Sequence, residues 1–505
     1  MNNDGGAEVA IVGFGPVGQV LAILLAQLGH SVLVLERYRE PYPSPRAVHF
    51  DDEVGRILQS CGIGAGLRSI IEPADIYEWR NATGTTLLRF GRAGDGLSGW
   101  PVSSMFSQPA LEALLQARAQ SLPGVEIRRG VEVVALEQSD GAVILHGADG
   151  TEFQAGYVVG CDGANSTVRS LVGLPLRDLG YFYDWLIVDV VLDEPRVFDP
   201  LNLQICDPAR PSTAVSGGPG RRRWEFMRLP HETIDELNDE SRAWAMLASW
   251  DVHPDNARLE RHAVYTFNAR YAECWRNGLV LLAGDAAHQM PPFAGQGMCA
   301  GVRDAANLAW KLHHVLGGST PVSLLTTYQQ ERLPSVITTI EFSMELGKII
   351  CVSDPEKAAA RDEELTAAIG PEPSEVPPLP GIVQGVVHPN APHAGELLAQ
   401  GNVDGRPFDD VFGVGWRLIT VENTDRARQP AGLDWFESLG GRLVVLDRPD
   451  AVFTRWFAER GASWALQRPD FRLYGTATSP EEASGLLEAL RHQLSDDHPP
   501  QGAPE

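Results

Sequence analysis

The chain has 505 residues, 44% of them hydrophobic and 21% charged, which indicates a globular protein of two or three domains. Its formal net charge of −25 argues against nucleic acid or an anionic membrane as a partner, and we expect neither. The six cysteines form no Cys-x-x-Cys pair, so we expect neither a disulfide framework nor a metal site, and we favour a cytoplasmic location. No targeting or membrane-spanning segment is predicted.

A dinucleotide-binding fingerprint opens the chain. An apolar strand at 9–12 leads into Gly-x-Gly-x-x-Gly, a helix follows, and a second strand ends at Glu36. The three glycines are Gly13, Gly15 and Gly18. They permit a tight turn and the close approach of a pyrophosphate to the helix N-terminus, while Glu36 can accept hydrogen bonds from a ribose diol. The pattern indicates a bound dinucleotide but does not separate FAD from NAD.

A polar segment follows a proline-rich loop at 41–46. Arg46 is the functional candidate in this segment, because a cation so close behind the dinucleotide site could meet a phosphate or a ring carbonyl. Asp51 and Asp52 could cap the next helix, and we favour that interpretation for Asp52.

The middle of the chain has the pattern of β structure. The stretch 76–89 predicts a hairpin with Gly84 in its turn. Further runs rich in β-branched and aromatic residues predict a mostly antiparallel sheet between about 180 and 270. We interpret the basic residues 221–223 as a solvated turn beside that sheet.

Two buried strands end in a carboxylate. The apolar run at 157–161 leads to Asp162, and the run at 279–283 leads to Gly284 and Asp285. Ligands bind at the carboxyl ends of strands in doubly wound sheets. We therefore expect both carboxylates to face the ligand.

The helix after the second carboxylate begins at a glycine-rich point. Pro291 and Pro292 force an irregular loop, and Gly295, Gln296 and Gly297 then lead into helical spacing. Free N–H groups at such a helix start favour negative charge. A ring that becomes anionic on reduction would fit there.

The C-terminal third has a different pattern. Residues 346–381 are a predicted helix and proline-rich linker, and residues 382–495 alternate short strands and helices as in a small α/β domain. This domain holds no cysteine and therefore cannot perform dithiol chemistry. Residues 496–505 are expected to be disordered.

Taken in order, three motifs resemble the class A flavoprotein monooxygenases, the aromatic hydroxylase family that includes p-hydroxybenzoate hydroxylase. The motifs are Gly13-x-Gly15-x-x-Gly18 with Glu36, Asp162-Gly163 with Ser166 and Arg169, and Gly284-Asp285 with Pro291 and Gly295-x-Gly297. The resemblance covers roughly residues 8–345, and segments 45–53 and 283–312 are similar to those of 3-(3-hydroxyphenyl)propionate hydroxylases. The C-terminal domain resembles the thioredoxin-like domain of that subgroup, including Arg468-Pro469-Asp470.

The resemblance implies an α/β fold with a Rossmann-like FAD-binding domain of the p-hydroxybenzoate hydroxylase type. An antiparallel β-sheet substrate domain and a small thioredoxin-like C-terminal domain would complete it. The expected segments are 1–75, 101–180 and 270–345 for the FAD-binding domain, 76–100 and 181–269 for the substrate domain, and 382–495 for the thioredoxin-like domain.

The family chemistry implies tightly but non-covalently bound FAD, with NAD(P)H as a transient cosubstrate and O2 as the oxidant. Hydroxylation would proceed through a flavin C4a-hydroperoxide, and the expected substrate is a phenol similar to 3-(3-hydroxyphenyl)propionate. Because one dinucleotide fingerprint is present, NAD(P)H is expected to visit and the flavin to move towards it. A homodimer is left open.

The resemblance also implies roles for individual residues. Glu36 would bind the adenosine ribose, Gln108 the pyrophosphate or ribityl chain, and Asp285 the ribityl chain. Backbone N–H groups around Gly297 and Met298 would hold the flavin ring. The full expected cofactor-binding set is Gly13, Gly15, Pro16, Val17, Gly18, Glu36, Arg37, Arg46, Gln108, Asp162, Gly163, Arg169, Gly284, Asp285, Pro292, Gly295, Gln296, Gly297 and Met298.

Three residues are candidates for catalysis. Pro291, with its apolar neighbours, would keep water off the flavin hydroperoxide. His49 and Asp51 are candidates for the base that deprotonates the phenol, and a capping or loop contact explains each of them equally well.

Two other functions fit the same residues. The flavin chemistry could act on a polyketide or another aromatic secondary metabolite, by hydroxylation, epoxidation or Baeyer–Villiger oxidation. A non-catalytic, nucleotide-binding redox sensor is the alternative from a different class.

Overall fold

The structure is a computed structural model that describes residues 6–42, 46–370, 372–375, 380–422 and 429–495. Five sequence predictions fall wholly or partly outside these ranges. They are the disordered tail at 496–505, part of the first proline-rich loop at 43–45, positions 371 and 376–379 of the linker, positions 1–5 of the expected FAD-binding domain, and positions 423–428 of the expected thioredoxin-like domain. Among the described residues, no helix combines the length and apolar character needed to cross a bilayer.

An eight-stranded sheet, here called the parallel sheet, forms around the apolar runs of the N-terminal half. Its main path is, in spatial order, Arg276–Asn277, Val280–Leu282, Glu152–Gly160, Ala7–Val12, Val32–Glu36 and Val125–Arg129, with Ala142–Gly147 and Val133–Ser139 branching from Glu152–Gly160. Four neighbouring pairs along this path are parallel. Val12 lies level with Leu35 and Gly160, and Gly160 lies level with Leu282. The residues that follow these strands, including Asp162 and Asp285, therefore meet at one edge.

A nine-stranded sheet, here called the long sheet, covers that edge. Its spatial order is His288–Gln289, Ala257–Ala272, Leu176–Leu192, Arg221–Met227, Ser212–Ser216, Asn202–Cys206, Ile76–Asn81, Thr86–Gly91 and Ser374–Glu375. Two neighbouring pairs are parallel and the other six are antiparallel. The predicted antiparallel sheet and the hairpin at 76–89 are confirmed, and Gly84 takes a φ of 84° in the hairpin turn.

The prediction of a solvated turn at 221–223 is wrong. These residues begin a strand, and Arg222 and Arg223 are buried. Arg223 lies opposite Asp189 in the neighbouring strand and makes two hydrogen bonds to its carboxylate, at 2.7 and 3.0 Å. Burial of a guanidinium requires such a partner, which lies 34 residues away in the chain and has no local signal.

Helices pack around the two sheets, and His49–Asp51, Ser103–Phe106 and Ile71–Pro73 form a small third sheet beside them. Asp51 caps the helix Asp52–Leu58 by accepting from Val54 N–H, whereas the Asp52 carboxylate accepts from Ser98 N–H. The prediction that Asp52 caps this helix is therefore wrong. The α-helices in the described residues before 370 are Pro16–Gln27, Asp52–Leu58, Gly64–Leu67, Gln108–Gln120, Thr167–Leu171, Ile234–Leu237, Glu240–Leu247, Gly297–Leu316, Thr326–Ile350 and Pro355–Ala368.

The C-terminal region contains a four-stranded sheet in the spatial order Arg442–Val445, Arg417–Thr420, Trp464–Gln467 and Leu473–Ala477. The first pair is parallel and the next two pairs are antiparallel, which gives the 2-1-3-4 order of a thioredoxin-like unit. A short hairpin of Asn402–Val403 and Arg406–Pro407 precedes it. Its helices are Phe408–Phe412, Leu433–Ser438, Ala451–Arg460 and Pro480–Ser495.

Candidate active site

An elongated site lies at the carboxyl edge of the parallel sheet, under the long sheet. It consists of two neighbouring cavities of about 740 and 130 Å³. They share lining residues, among them Gly15, Arg46 and Gln108. The smaller cavity extends to Glu36, and the larger one extends to Glu225 on the long sheet. The shape suits a long ligand with a second, compact molecule at one end.

The Glu36 end is built from the glycine-rich turn. Gly13 has a φ of 102°, and an added Cβ would lie 2.5 Å from the Cys161 carbonyl oxygen. At Gly18 an added Cβ would lie 2.2 Å from the Gly13 carbonyl oxygen. The two Glu36 carboxylate oxygens accept from Phe14 N–H and Tyr38 N–H, each at 2.8 Å. A carboxylate offers about four acceptor positions, so Glu36 can still bind a diol.

The loop after residue 45 is held over the middle of the site by Gln108. The Gln108 side-chain oxygen accepts from Arg46 N–H at 3.1 Å and from Ala47 N–H at 2.6 Å. The Arg46 guanidinium lies 4.5 Å from the centre of the Tyr42 ring and lines both cavities. Gln108 therefore places a cation at the point where the cavities join.

The two strand-end carboxylates have different surroundings. Asp162 accepts from Ser166 Oγ at 2.5 Å and from Val168 N–H at 3.0 Å, which fixes the start of the next helix. Asp285 lines the larger cavity, and its carboxylate has no hydrogen-bond partner among the described residues. Burial by the surrounding protein raises the pKa of Asp285. A ligand hydroxyl would supply the missing partner.

The helix Gly297–Leu316 begins at the wall of the larger cavity without a side-chain cap. Its first N–H groups and its dipole therefore face the cavity, where they favour a partial negative charge. Pro291 and Pro292 line the same wall, and Phe293 packs edge-on against Trp185 with ring centres 5.7 Å apart. An anion-friendly helix start thus adjoins an apolar surface.

These features fit FAD. The adenosine ribose would meet Glu36, the pyrophosphate would meet the glycine turn, and the ribityl chain would meet the unpartnered Asp285. Sixteen of the predicted cofactor-binding residues line one or both cavities, and Pro291 and His49 line the larger one as well. Those sixteen are Gly13, Gly15, Pro16, Val17, Glu36, Arg37, Arg46, Gln108, Asp162, Gly163, Asp285, Pro292, Gly295, Gln296, Gly297 and Met298.

The structure places four predicted site residues behind the cavity walls. Gly18 and Gly284 are packing positions, against Gly13 and Val17 respectively. The Arg169 guanidinium donates to the carbonyl oxygens of Ala286 and Ala164, at 2.8 and 3.0 Å. The fourth residue is Asp51.

Asp51 is engaged by other protein groups. One carboxylate oxygen caps the helix Asp52–Leu58, and the other lies 2.7 Å from Arg303 Nη2. Burial alone would raise the pKa of Asp51, but the Arg303 charge holds it below its usual range. Such a carboxylate is a poor proton acceptor.

His49 is the candidate base that faces the cavity. Its Nδ1 lies 3.2 Å from the Gly295 carbonyl oxygen, and its buried Nε2 has no partner in the described part of the chain. Burial, reinforced by the charge of Arg92, lowers the pKa of His49 to about 4. The ring is therefore neutral near pH 7, and with Nδ1–H donating to Gly295, Nε2 is a free acceptor.

The far end of the larger cavity holds polar residues that the sequence analysis did not select. Arg92 lines it with a buried Nε that has no acceptor among the described residues. Tyr77 lies beneath Arg92, with 5.5 Å from the ring centre to the guanidinium carbon. Glu225 lies 3.8 Å from Arg223, and burial raises its pKa. These residues come from separate strands and loops, so no local motif marks them.

Comparison with known proteins agrees with this geometry. A family model described as an FAD binding domain matches residues 6–343. The chain is 38% identical to a probable NADH-specific resorcinol 4-hydroxylase of Rhodococcus jostii (strain RHA1), over 96% of this chain and 94% of that protein. It is 33% identical to a 3-(3-hydroxy-phenyl)propionate/3-hydroxycinnamic acid hydroxylase of Mycobacterium sp. (strain JLS), over 97% of this chain and 93% of that protein.

The fold is also that of a solved flavoenzyme. The flavin-dependent monooxygenase PieE, in complex with FAD and substrate, superposes with a TM-score of 0.79 at 21% identity, covering 98% of this chain and 100% of PieE. The matched FAD binding domain and the near full-length relatives show that the chain belongs to the class A flavoprotein monooxygenases, the FAD-dependent aromatic hydroxylases.

Proposed function

We propose that this enzyme hydroxylates the ring of a small phenol that carries an acidic side chain, similar to 3-(3-hydroxyphenyl)propionate. The observation that carries the proposal is Arg92, a cation that lines the larger cavity and whose buried Nε has no acceptor among the described residues. Burial lowers the pKa of Arg92, because the positive charge is removed from water and is only partly balanced by nearby groups. A substrate carboxylate would supply that compensation.

FAD, when bound, carries electrons from NAD(P)H and activates O2, so the protein's tasks are binding, orientation and electrostatics. Asp285 would accept hydrogen bonds from the ribityl chain. The N–H groups at Gly297 and Met298 would face the edge of the ring where negative charge develops on reduction. Pro291 and Pro292 would keep water from the same edge.

His49 would orient the phenolic hydroxyl. Its neutral ring presents Nε2 as an acceptor, and a hydrogen bond from the phenol increases electron density on the aromatic ring. We prefer His49 to Asp51 for this role because the Asp51 carboxylate is already bound by Arg303. Arg92, which interacts electrostatically with His49, would also stabilise negative charge on the substrate.

The relatives support a phenol with a second substituent in the meta position. The names of two of them specify resorcinol and 3-(3-hydroxy-phenyl)propionate, whose rings share this pattern. Arg92 favours the acid over the neutral diol. The relative named as NADH-specific makes NADH the first reductant to test.

The test uses FAD-loaded enzyme with three compounds: 3-(3-hydroxyphenyl)propionate, resorcinol and 3-phenylpropionate, which lacks the phenolic hydroxyl. Consumption of NADH and of NADPH is followed together with the hydroxylated product. We expect coupled hydroxylation of the phenolic acid with a lower KM than for resorcinol, and no hydroxylation of 3-phenylpropionate. Equal or better use of resorcinol would contradict the role of Arg92.

The other functions considered for this sequence predict different results. A polycyclic substrate would be turned over while all three small compounds fail. A redox sensor would bind FAD and show no NAD(P)H oxidation stimulated by any phenol.

We further propose that the enzyme works in the cytoplasm, since all six cysteines are free thiols. Cell fractionation tests this proposal. Light scattering of the holoenzyme tests whether it is a homodimer.

A further inference from the structure

A turn of the C-terminal domain inserts into the FAD-binding part of the chain. This turn comprises residues 468–472, between the strands Trp464–Gln467 and Leu473–Ala477, and is called the 468–472 turn below. Three of its side chains bind residues from before position 345. The pairs are Arg468 with Glu331 at 2.6 Å, Asp470 with Asn307 at 2.9 Å, and Arg472 with Glu53 at 2.6 Å.

The backbone of the turn is shaped for this contact. Phe471 takes a φ of 65°, a left-handed conformation that costs an L-residue of this size about 1–2 kcal/mol. Its ring is buried, with the Arg56 guanidinium carbon 4.3 Å from the ring centre. The strained conformation persists because the surrounding contacts of the turn compensate for it.

One of the three contacts continues to the cavity wall. Glu53 binds Arg472 through Oε1 and Arg303 through Oε2, both at 2.6 Å. Arg303 reaches Asp51 at 2.7 Å and donates to the Gln296 side-chain oxygen at 3.1 Å. Gln296 in turn donates to Asp51 at 3.0 Å. Gln296 lines the cavity and immediately precedes the uncapped helix start at Gly297.

The charges along this path balance. The carboxylates of Asp51 and Glu53 are matched by the guanidinium groups of Arg303 and Arg472, and the four side chains are at most 13% exposed. Removal of Arg472 would leave one net negative charge in a buried cluster behind the Gly297 helix start. Removal of the Glu53 charge would leave one net positive charge at the same place. Buried charges interact over longer distances than exposed ones because water screens them less.

We propose that Arg472, in the C-terminal domain, is a positioning residue for the flavin: through Glu53 and Arg303 it fixes Gln296 and sets the electrostatic potential at the Gly297 helix start. The inference rests on the proposed placement of the flavin ring at that helix start. It gives the C-terminal domain a function that needs no cysteine and no contact with the substrate.

The test compares Arg472→Met and Glu53→Gln in the FAD-loaded holoenzyme, without substrate. Both variants loosen Gln296, so the Kd for FAD rises in both. The equilibrium constant for two-electron reduction falls on the order of tenfold in Arg472→Met, which is a potential about 30 mV more negative. In Glu53→Gln it shifts in the opposite direction by a similar factor, because the uncompensated charge has the opposite sign.

Asp409→Asn is the matched control. The Asp409 carboxylate binds Arg56 at 2.6 and 3.1 Å, so it joins the same two parts of the chain, but neither residue lines the cavity or contacts Gln296. We expect this variant to lower Tm while the reduction equilibrium stays within threefold of wild type. Arg472→Lys retains the charge and is expected to keep the wild-type potential.

A potential that is unchanged in both Arg472→Met and Glu53→Gln, or that shifts in the same direction in both, overturns the proposal. If Arg472→Met does not retain FAD, Glu53→Gln and Arg472→Lys decide it: the proposal is overturned if the potential of Glu53→Gln is unchanged or more negative, or if Arg472→Lys shifts as far as Glu53→Gln. None of these measurements depends on substrate. The substrate proposal and this inference can therefore fail independently.

Discussion

Asp162 and Asp285 follow neighbouring strands of one sheet, at the same edge, and the sequence around them has the same design. In the folded protein the Asp162 carboxylate is bound by Ser166 and by a backbone N–H, whereas Asp285 has no partner among the described residues. The Asp162 carboxylate therefore shapes the protein around the site, whereas the Asp285 carboxylate is the one that we propose binds the ligand.

The same contrast separates two other pairs of residues. Asp51 is bound by Arg303, while His49 lines the cavity and its buried Nε2 has no partner in the described part of the chain. Arg223 is bound by Asp189, while the buried Nε of Arg92 has no acceptor in the described part of the chain. A polar group without a hydrogen-bond partner inside the protein destabilises the fold, and a ligand that supplies the partner removes this free-energy penalty.

The largest expected effect concerns the two strand-end carboxylates. We expect Asp285→Ala to raise the Kd for FAD about 10- to 100-fold, because charge-assisted hydrogen bonds contribute about 1.5–3 kcal/mol each. The apoprotein of this variant should be about as stable as wild type, because the Asp285 side chain is exposed in the cavity and makes no hydrogen bond to the described residues. Fluorescence titration with FAD and urea unfolding of the apoprotein measure the two quantities.

Asp162→Ala is the matched substitution. It should lower apoprotein stability by about 1–2 kcal/mol, through the loss of two local hydrogen bonds, and change the Kd for FAD less than fivefold. If Asp162→Ala weakens FAD binding as much as Asp285→Ala does, the distinction between the two carboxylates is wrong.

The next effect concerns Arg92. We expect Arg92→Met to lower kcat/KM for 3-(3-hydroxyphenyl)propionate about 30-fold, mainly through KM, and to change kcat/KM for resorcinol less than threefold. Steady-state hydroxylation assays with both compounds provide the measurement.

Arg89→Met serves as its control. Arg89 lies on the strand Thr86–Gly91, pairs with Glu78 at 3.2 Å and does not line the cavity. It should leave both activities unchanged. An equal loss with the acid and with resorcinol in Arg92→Met would indicate a general defect in place of carboxylate recognition.

The smallest effect concerns the pH dependence of stability. The folded-state pKa of His49, about 4, lies below its usual 6.5, so the unfolded chain binds more protons between these values and stability falls as pH drops through this window. His49→Gln removes this contribution. Between pH 7 and pH 5 the variant should lose about 1–2 kcal/mol less unfolding free energy than wild type, as measured by urea unfolding of the apoprotein.

His314 sharpens the comparison. Burial lowers its pKa to about 4 as well, but its Nε2 accepts a hydrogen bond from Trp416 at 3.1 Å. His314→Gln should flatten the pH dependence in the same way and also lower stability at pH 7. A pH dependence identical to wild type in both variants would show that neither ring resists protonation.

The end of the site around Glu36 was largely predictable because it is built from local sequence. Gly13, Gly18 and Glu36 lie in one turn, the helix after it and the strand next to it, and Asp285 lies just after the end of its own strand. Parallel strands bring such ends to one edge, so the pattern also predicted which residues would meet.

The far end of the larger cavity could not be predicted, because the residues that line it are distant from one another in the chain. Arg92 and Glu225 line the same cavity although they are far apart in the chain, and the order of strands in the long sheet determines this. The Asp52 carboxylate accepts a hydrogen bond from Ser98 N–H, 46 residues away, and the helix is capped by Asp51. Nothing in the local sequence indicates this distant partner. Burial of Arg223 likewise depends on a pairing register.

The 468–472 turn has a consequence for how the molecule is made. Until residues beyond 397 have left the ribosome, Arg56 lacks both Asp409 and the Leu398 carbonyl oxygen, and Glu331 and Glu53 lack the arginines at 468 and 472. Glu331 keeps Lys311 and Glu53 keeps Arg303, whereas Arg56 keeps none of its carboxylate or carbonyl partners, and a buried guanidinium without its partner costs about 3–5 kcal/mol. The FAD-binding part of the chain is therefore synthesised first but completed last. A fragment that ends in the linker should aggregate and bind FAD weakly.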